Sequence, residues 1–175
     1  MDSPRDAFDL DVAMASPPDG DEYMAGIRQF MEQQIPFNAF LGIEVVALES
    51  GSAALKLPFR EQLIGDPVRP ALHGGTLAML ADTAGGAAVF SAIQFGDTIS
   101  TIDLRVDYLR PADLLDTVAE ARVVRQGGRV AVARVELWQD CVDTHGASET
   151  QSAGVGDRRL VAEATAVYNI RRRKT

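Results

Sequence analysis

The sequence predicts an α+β fold in which one long apolar helix lies against an antiparallel sheet of about half a dozen strands. Three observations predict it. The longest apolar run, residues 71–96, contains no proline, and its length suits a helix better than a strand. After Gly96-Asp97 the hydrophobic period changes to two, with Ile102, Leu104, Val106 and Tyr108 alternating with Thr101, Asp103, Arg105 and Asp107. No strand–helix–strand unit recurs, which argues against a parallel doubly wound sheet.

The elements follow in order. Residues 1–21 are acidic and broken by Pro17-Pro18-Asp19-Gly20, the composition of a loosely attached leader. Tyr23, Ile27, Phe30, Met31 and Gln34 then keep helical spacing until Pro36 stops the helix. Phe37, Phe40 and Leu41 are expected to make an apolar turn before Gly42. Residues 43–48 and 53–59 read as a hairpin joined through Glu49-Ser50-Gly51-Ser52. Residues 60–70, with Gly65-Asp66-Pro67 and Pro70, read as a loop leading into the central helix. The strand from Thr101 ends at Pro111, and residues 116–125 and 129–139 flank Gln126-Gly127-Gly128 as a second hairpin. Residues 140–158, rich in Gly, Ser, Thr and Asp, are expected to form a long flexible loop. Residues 160–170 alternate as the last strand, and Arg171-Arg172-Arg173-Lys174 make a solvated basic tail.

Composition bounds the rest. With 175 residues the chain is expected to be one domain at 22–170, with the leader at 1–21 and the tail at 171–175. No segment reaches the roughly 18 uninterrupted apolar residues of a membrane span; Asp82 and four glycines (Gly74, Gly75, Gly85, Gly86) argue against lipid for the longest run. Acids stand at the N-terminus where a signal peptide has a basic region and an apolar core, so a cytoplasmic location is expected. The single cysteine, Cys141, excludes an intramolecular disulfide framework and fits a reducing compartment. A net charge of −8 disfavours nucleic acid or an anionic membrane as the main partner, while an anionic small molecule on a local basic patch stays open.

Within residues 71–96 only Asp82 is formally charged at pH 7. Asp is poor in a helix interior and costly to bury without partners, so it needs a reason. One reading is a general base or nucleophile in a partly desolvated site; the other is a structural Asp tied to a neighbouring loop or a subunit contact. His73-Gly74-Gly75 stands where the loop becomes the helix, and amides there carry positive partial charge that suits an anion or a carbonyl. A glycine turn with His73 hydrogen-bonded nearby is the plain alternative. Cys141 and His145 fall in a polar stretch, and with His73 the only other histidine a metal site is poorly supplied. There is no phosphate-binding loop and no Gly-x-Ser-x-Gly elbow.

Leu72-His73-Gly74-Gly75, followed by Leu80-Ala81-Asp82 and Gly86, resembles the helix signature of hot-dog-fold acyl-CoA thioesterases of the phenylacetate-pathway (PaaI-like) family. The run from Thr101 to Ala112, Thr-Ile-Asp-Leu-Arg-Val-Asp-Tyr-Leu-Arg-Pro-Ala, resembles the family's second hallmark. The Gly127-Gly128 hairpin and Ala162-Glu163-Ala164 fit its C-terminal part, so the resemblance covers residues 37–170. It implies a long central helix wrapped by a curved antiparallel sheet of five to six strands. It also implies a homodimer, often paired again into a homotetramer, with active sites at the dimer interface. Asp82 would then be the catalytic carboxylate, and the Gly74 amide would polarise the thioester carbonyl. His73 would shape the turn and Thr101 would orient the water or Asp82. Gly75, Arg110, Arg125 and Arg129 are the candidates for holding coenzyme A, which is part of the substrate; no cofactor and no metal are implied. The sequence departs from the pattern at Pro67, where many members carry an Asn six residues before the His, and in the length of 140–158.

An acyl-CoA thioesterase is therefore expected. A non-catalytic acyl-CoA-binding protein with the same fold is the first rival, and an interaction module with a structural Asp82 is another. A hydratase ranks lower, because no His follows Asp82 on the helix. Nine residues at about 1.5 Å each put Asp82 about 13 Å along the helix from His73, too far for both to act on one carbonyl from the same chain.

Overall fold

Small residues on one helix set how close the sheet can come to it. In the computed structural model, which describes residues 20–141 and 158–173, the central helix α3 spans Gly74–Phe90. Most of the expected leader, residues 142–157 of the expected loop with His145, and the last two residues of the tail lie outside the described residues. Ala81, Ala84, Ala87 and Ala88 are fully buried on α3, with Leu77, Leu80 and Val89 beside them. Short side chains let the backbones approach, so the apolar face is covered by one sheet rather than by a second layer of helices.

The helices α1 (Gly20–Gln29) and α2 (Pro36–Leu41) precede eight strands. These are β1 (Glu44–Glu49), β2 (Ser52–Leu57), β3 (Ile64–Asp66), β4 (Ala71–Leu72), β5 (Thr98–Tyr108), β6 (Thr117–Gln126), β7 (Val130–Asp140) and β8 (Arg158–Arg171). Six of them form one sheet in the order β1-β2-β6-β7-β8-β5, antiparallel throughout. The expected helix, both hairpins and the last strand are all present. Along β7 the inward residues Ala131, Ala133, Val135 and Leu137 are buried against α3, while their neighbours face away.

Four expectations change. The expected solvated tail is anchored instead, with Arg171 inside β8 and Arg172 and Arg173 fastened to Asp97. Residues 37–41 are a short helix rather than a turn, because Pro36 ends one helix and pre-sets φ for the first turn of the next. Residues 60–70 are not all loop: β3 and β4 pair across them and hold the entry to α3. Alternation alone puts Ile102 and Tyr108 on a covered face, yet they are 58% and 53% exposed. The cause is position: β5 is the edge of the sheet, and its register slips between Thr101 and Asp103, so Ile102 bulges out.

Two anchors close the C-terminal end of α3. The Ser91 hydroxyl accepts the Gly51 amide at 3.0 Å and reaches the Glu49 carbonyl at 2.8 Å, tying the first hairpin to the end of the helix. Beyond it, Asp97 has a side chain only 3% exposed. It accepts from the Arg172 guanidinium and, at 3.0 Å, from the Arg173 amide. Burial pushes this carboxyl up, but those donors outweigh it and hold it below the usual carboxylate range.

A group with a depressed folded pKa contributes stability above its unfolded value, about 3.9, and loses it as pH falls through the folded value. Urea unfolding from pH 7 to pH 2.5 is expected to show that loss below about pH 4. Asp97→Asn should lower the midpoint at pH 7 and flatten the acid limb. The packing of α3 is testable at two adjacent glycines. A Cβ on Gly85 would lie 2.5 Å from the buried Tyr168 hydroxyl, whereas on Gly86 it meets nothing closer than 3.7 Å. Gly85→Ala is expected to destabilise by about 1–3 kcal/mol. Gly86→Ala should be neutral or gain up to about 1 kcal/mol of helix propensity, both read by denaturant melts.

Candidate active site

Two polar clusters lie along α3, one at its first turn and one at its middle. His73 caps the helix: its backbone amide donates to the Leu63 carbonyl, and its Nδ1 accepts the Gly75 amide, both at 2.9 Å. A ring nitrogen that accepts carries no proton, so the neutral imidazole keeps its hydrogen on Nε2. Gly75 is thereby occupied. Gly74, the first helical residue, has an amide with no acceptor inside the helix, at the positive end of a 17-residue dipole. Tyr108, at the end of β5, donates its hydroxyl to the Gly74 carbonyl at 2.9 Å. The turn is tight enough to need its glycines. A Cβ on Gly65 would stand 2.5 Å from the His73 Cα, and one on Gly75 would stand 2.9 Å from Nδ1.

Asp82 stands two and a half turns further on and is half-buried. Its Oδ1 accepts the Thr101 hydroxyl at 2.9 Å. Tyr168, on β8 and 1% exposed, donates to the Asp82 backbone carbonyl at 2.8 Å, with Oδ1 3.4 Å away. Burial, then the Asp82 charge and its hydrogen bond, push the Tyr168 phenol far above its ordinary range, so it stays a donor. Oδ1 is thus engaged. Among the described residues nothing hydrogen-bonds Oδ2, which leaves that oxygen for a water or a substrate.

The structure brings Asp82 and Thr101 together, and separately His73, Gly74 and Gly75. It does not bring the two clusters together within one chain. The arginines are divided as well. Arg125 and Arg129 lie at the β6–β7 hairpin, where Ile170 donates to the Arg129 carbonyl at 2.7 Å. Arg110 lies past the opposite end of β5, its amide on the Val161 carbonyl. Pro67 falls in a turn held by Asp66, whose Oδ1 accepts the Val68 and Arg69 amides; these bonds, the Arg69 amide foremost, hold the Asp66 carboxyl below the usual range. Cys141 is exposed, and among the described residues no three metal-ligating side chains converge.

Comparison with known proteins places this geometry. A family model described as the Thioesterase superfamily matches residues 70–142. The medium/long-chain acyl-CoA thioesterase YigI of Salmonella typhimurium is 34% identical over 157 residues, covering 82% of this chain and 91% of that one. Among solved structures, a protein from Shewanella oneidensis related to the thioesterase superfamily superposes with a TM-score of 0.67 at 28% identity, covering 88% of this chain and 99% of that one. A mutant form of the phenylacetic acid degradation protein PaaI from Thermus thermophilus gives 0.59 at 27% identity, covering 77% and 97%. The chain belongs to the thioesterase superfamily: it is a thioester hydrolase with the hot-dog fold.

Two residues of the site escape a reading of the sequence. Tyr168 lies 86 positions from Asp82, and Tyr108 lies 34 from Gly74. A weak signal exists for Tyr168: an aromatic with a polar tip on an inward strand position needs a partner. Nothing local names that partner. Thr101→Val is expected to lower thioester turnover about tenfold with little change in KM, the scale of one lost hydrogen bond. Tyr168→Phe should cost less, since its shorter bond is to a backbone carbonyl. Steady-state kinetics read both, and unchanged kcat in the Thr101 variant would remove the hydroxyl from the machinery.

Proposed function

We propose that the protein hydrolyses an acyl-CoA thioester to a free acid and coenzyme A, without a cofactor. The observation that carries this reading is Asp82: the one charged residue of the apolar helix, with Oδ1 held by Thr101 on the edge strand and Oδ2 left open. As general base, Asp82 takes a proton from water, whose oxygen attacks the thioester carbon. The tetrahedral intermediate then expels the coenzyme A thiolate, which recovers a proton. As nucleophile, Asp82 attacks that carbon itself and expels the coenzyme A thiolate, which recovers a proton. Water then hydrolyses the resulting anhydride to the free acid and the Asp82 carboxylate. In both routes the Gly74 amide holds the carbonyl oxygen as it becomes an oxyanion, and His73 keeps the turn in shape. Pro67 offers no donor, so this role falls on Gly74.

A dimer assembles the site. The outer edge of β5 has no strand beside it among the described residues. Tyr108 marks the Gly74 end of β5, and Thr101 marks the Asp82 end. An antiparallel pair of β5 strands centred between those residues sets Asp82 and Thr101 of each subunit beside the first helical turn of the other. The same pairing carries Arg110 of each subunit to the sheet end that holds Arg125 and Arg129 of the other, where phosphates of coenzyme A would meet them. The name of YigI supports an aliphatic acyl chain of medium or long length over an aryl group. The single cysteine supports a cytoplasmic enzyme, and no helix among the described residues is long and apolar enough to cross a membrane.

Free-thiol release from a panel of short, medium, long and aromatic acyl-CoAs tests the reading. Activity is expected on at least one substrate, with turnover falling at least about a hundredfold in Asp82→Asn. Turnover like that of the wild type in that variant would take the chemistry away from Asp82.

A further inference from the structure

We propose that Tyr108 is a positioning residue for the hydrolysis, fixing the peptide at Gly74 so that the Gly74 amide aims at the developing oxyanion. The inference deepens the reading in which that amide holds the thioester carbonyl, and it rests on that reading.

The need for such a residue comes from glycine itself. Without a Cβ its backbone torsions are soft, and a hydrogen-bond donor stabilises a transition state only when it is aimed in advance. Three bonds restrict the two peptides that flank the Gly74 Cα. The carbonyl of the first, on His73, accepts the Thr76 amide at 2.9 Å. The second peptide is held at both ends. Its carbonyl, on Gly74, accepts the Tyr108 hydroxyl at 2.9 Å, and its amide, on Gly75, donates to His73 Nδ1 at 2.9 Å. Of these three bonds only the one from Tyr108 comes from another element. It ties the cap to the sheet.

The Tyr108 ring adds a steric hold to the polar one. A Cβ on Gly74 would stand 3.3 Å from Cε1 and Cζ of that ring. This is closer than the roughly 3.5–4.0 Å at which two carbons pack best. The aromatic thus fills the side of Gly74 that a side chain would take, and glycine is what lets the hydroxyl reach the carbonyl.

Tyr108 is itself firmly placed. It is the last residue of β5 and pairs with the fully buried Ala162. The next two amides, of Leu109 and Arg110, both donate to the Val161 carbonyl, at 3.0 and 3.3 Å. The residue is nevertheless 53% exposed, so apolar burial is a weak reason for an aromatic here. Its bond to Gly74 supplies a better one. Because Tyr108 belongs to β5, the strand proposed to pair between subunits also aims the donor.

Tyr108→Phe tests this, since it removes one oxygen and keeps the ring. For the best acyl-CoA of the panel, kcat is expected to fall about tenfold with KM unchanged, because the donor matters most once charge has developed. A second readout separates aim from stability. A ketone analogue of that acyl-CoA, with a methylene between sulfur and an isotope-labelled carbonyl, cannot be hydrolysed, and infrared spectroscopy reads its hydrogen bonding. In the wild type the carbonyl band of the bound analogue is expected below its position in buffer. In Tyr108→Phe it should move back toward that position. Loss of stability alone would leave the band of the bound analogue in place. Equal bands in the two proteins, or an unchanged kcat, would overturn the role of Tyr108. A wild-type band that does not shift has a separate meaning: it removes the Gly74 amide from the carbonyl, and the proposal falls with the reading beneath it.

Discussion

The close approach of one helix to one sheet is the constraint on which the rest depends. At Gly85 the phenol of Tyr168 occupies the volume a Cβ would need, and from there it bonds the carbonyl of Asp82. A larger residue at 85 would push the helix off the sheet and move Asp82 away from Thr101. Packing and chemistry are therefore not separable in the middle of α3. The alanines that permit this approach also make the core unusual in composition, since alanine is its most frequent residue among those described. Such a core gains little per residue from apolar area, which is about 25 cal/mol per Å². It compensates with a long, continuous contact between α3 and most of the sheet.

What can be read in the sequence is whatever repeats along the chain. The helix at 74–90 and the two hairpins are local periodicities with turn residues between them, so they are legible to within a few residues. Asp82 is legible for the opposite reason, as a single break in an otherwise uniform run. The resemblance to the PaaI-like family rests on the same local runs and leads to the right superfamily. The β3–β4 pair is not legible, because a ladder this short is held by what surrounds it rather than by its own residues. The exposure of Ile102 and Tyr108 is hidden for a related reason. Alternation reveals that a strand has two faces, but not that the strand is the edge of its sheet.

The edge also explains why the two clusters lie apart. Each chain holds the His73–Gly75 turn and the Asp82 carboxylate on one helix, and each cluster is fastened to β5, by Tyr108 at one place and by Thr101 at the other. The strand whose outer side is open among the described residues is thus the strand to which both polar clusters are tied. Pro67, which departs from the family pattern, lies in a turn organised by Asp66.

A helix that carries two polar groups at a fixed spacing works as a ruler with a phase as well as a length. The nine-residue step from His73 to Asp82 fixes a separation of about 13 Å, and each residue also turns the helix by about 100°. One residue inserted between them would leave the cap intact and shift Asp82 by only about 1.5 Å along the axis. It would also rotate the carboxylate by more than a quarter turn, off β5 and away from Thr101. The spacing in this chain is thus constrained by angle far more tightly than by distance, and the run of small residues around Asp82 gives the sheet no room to follow such a rotation.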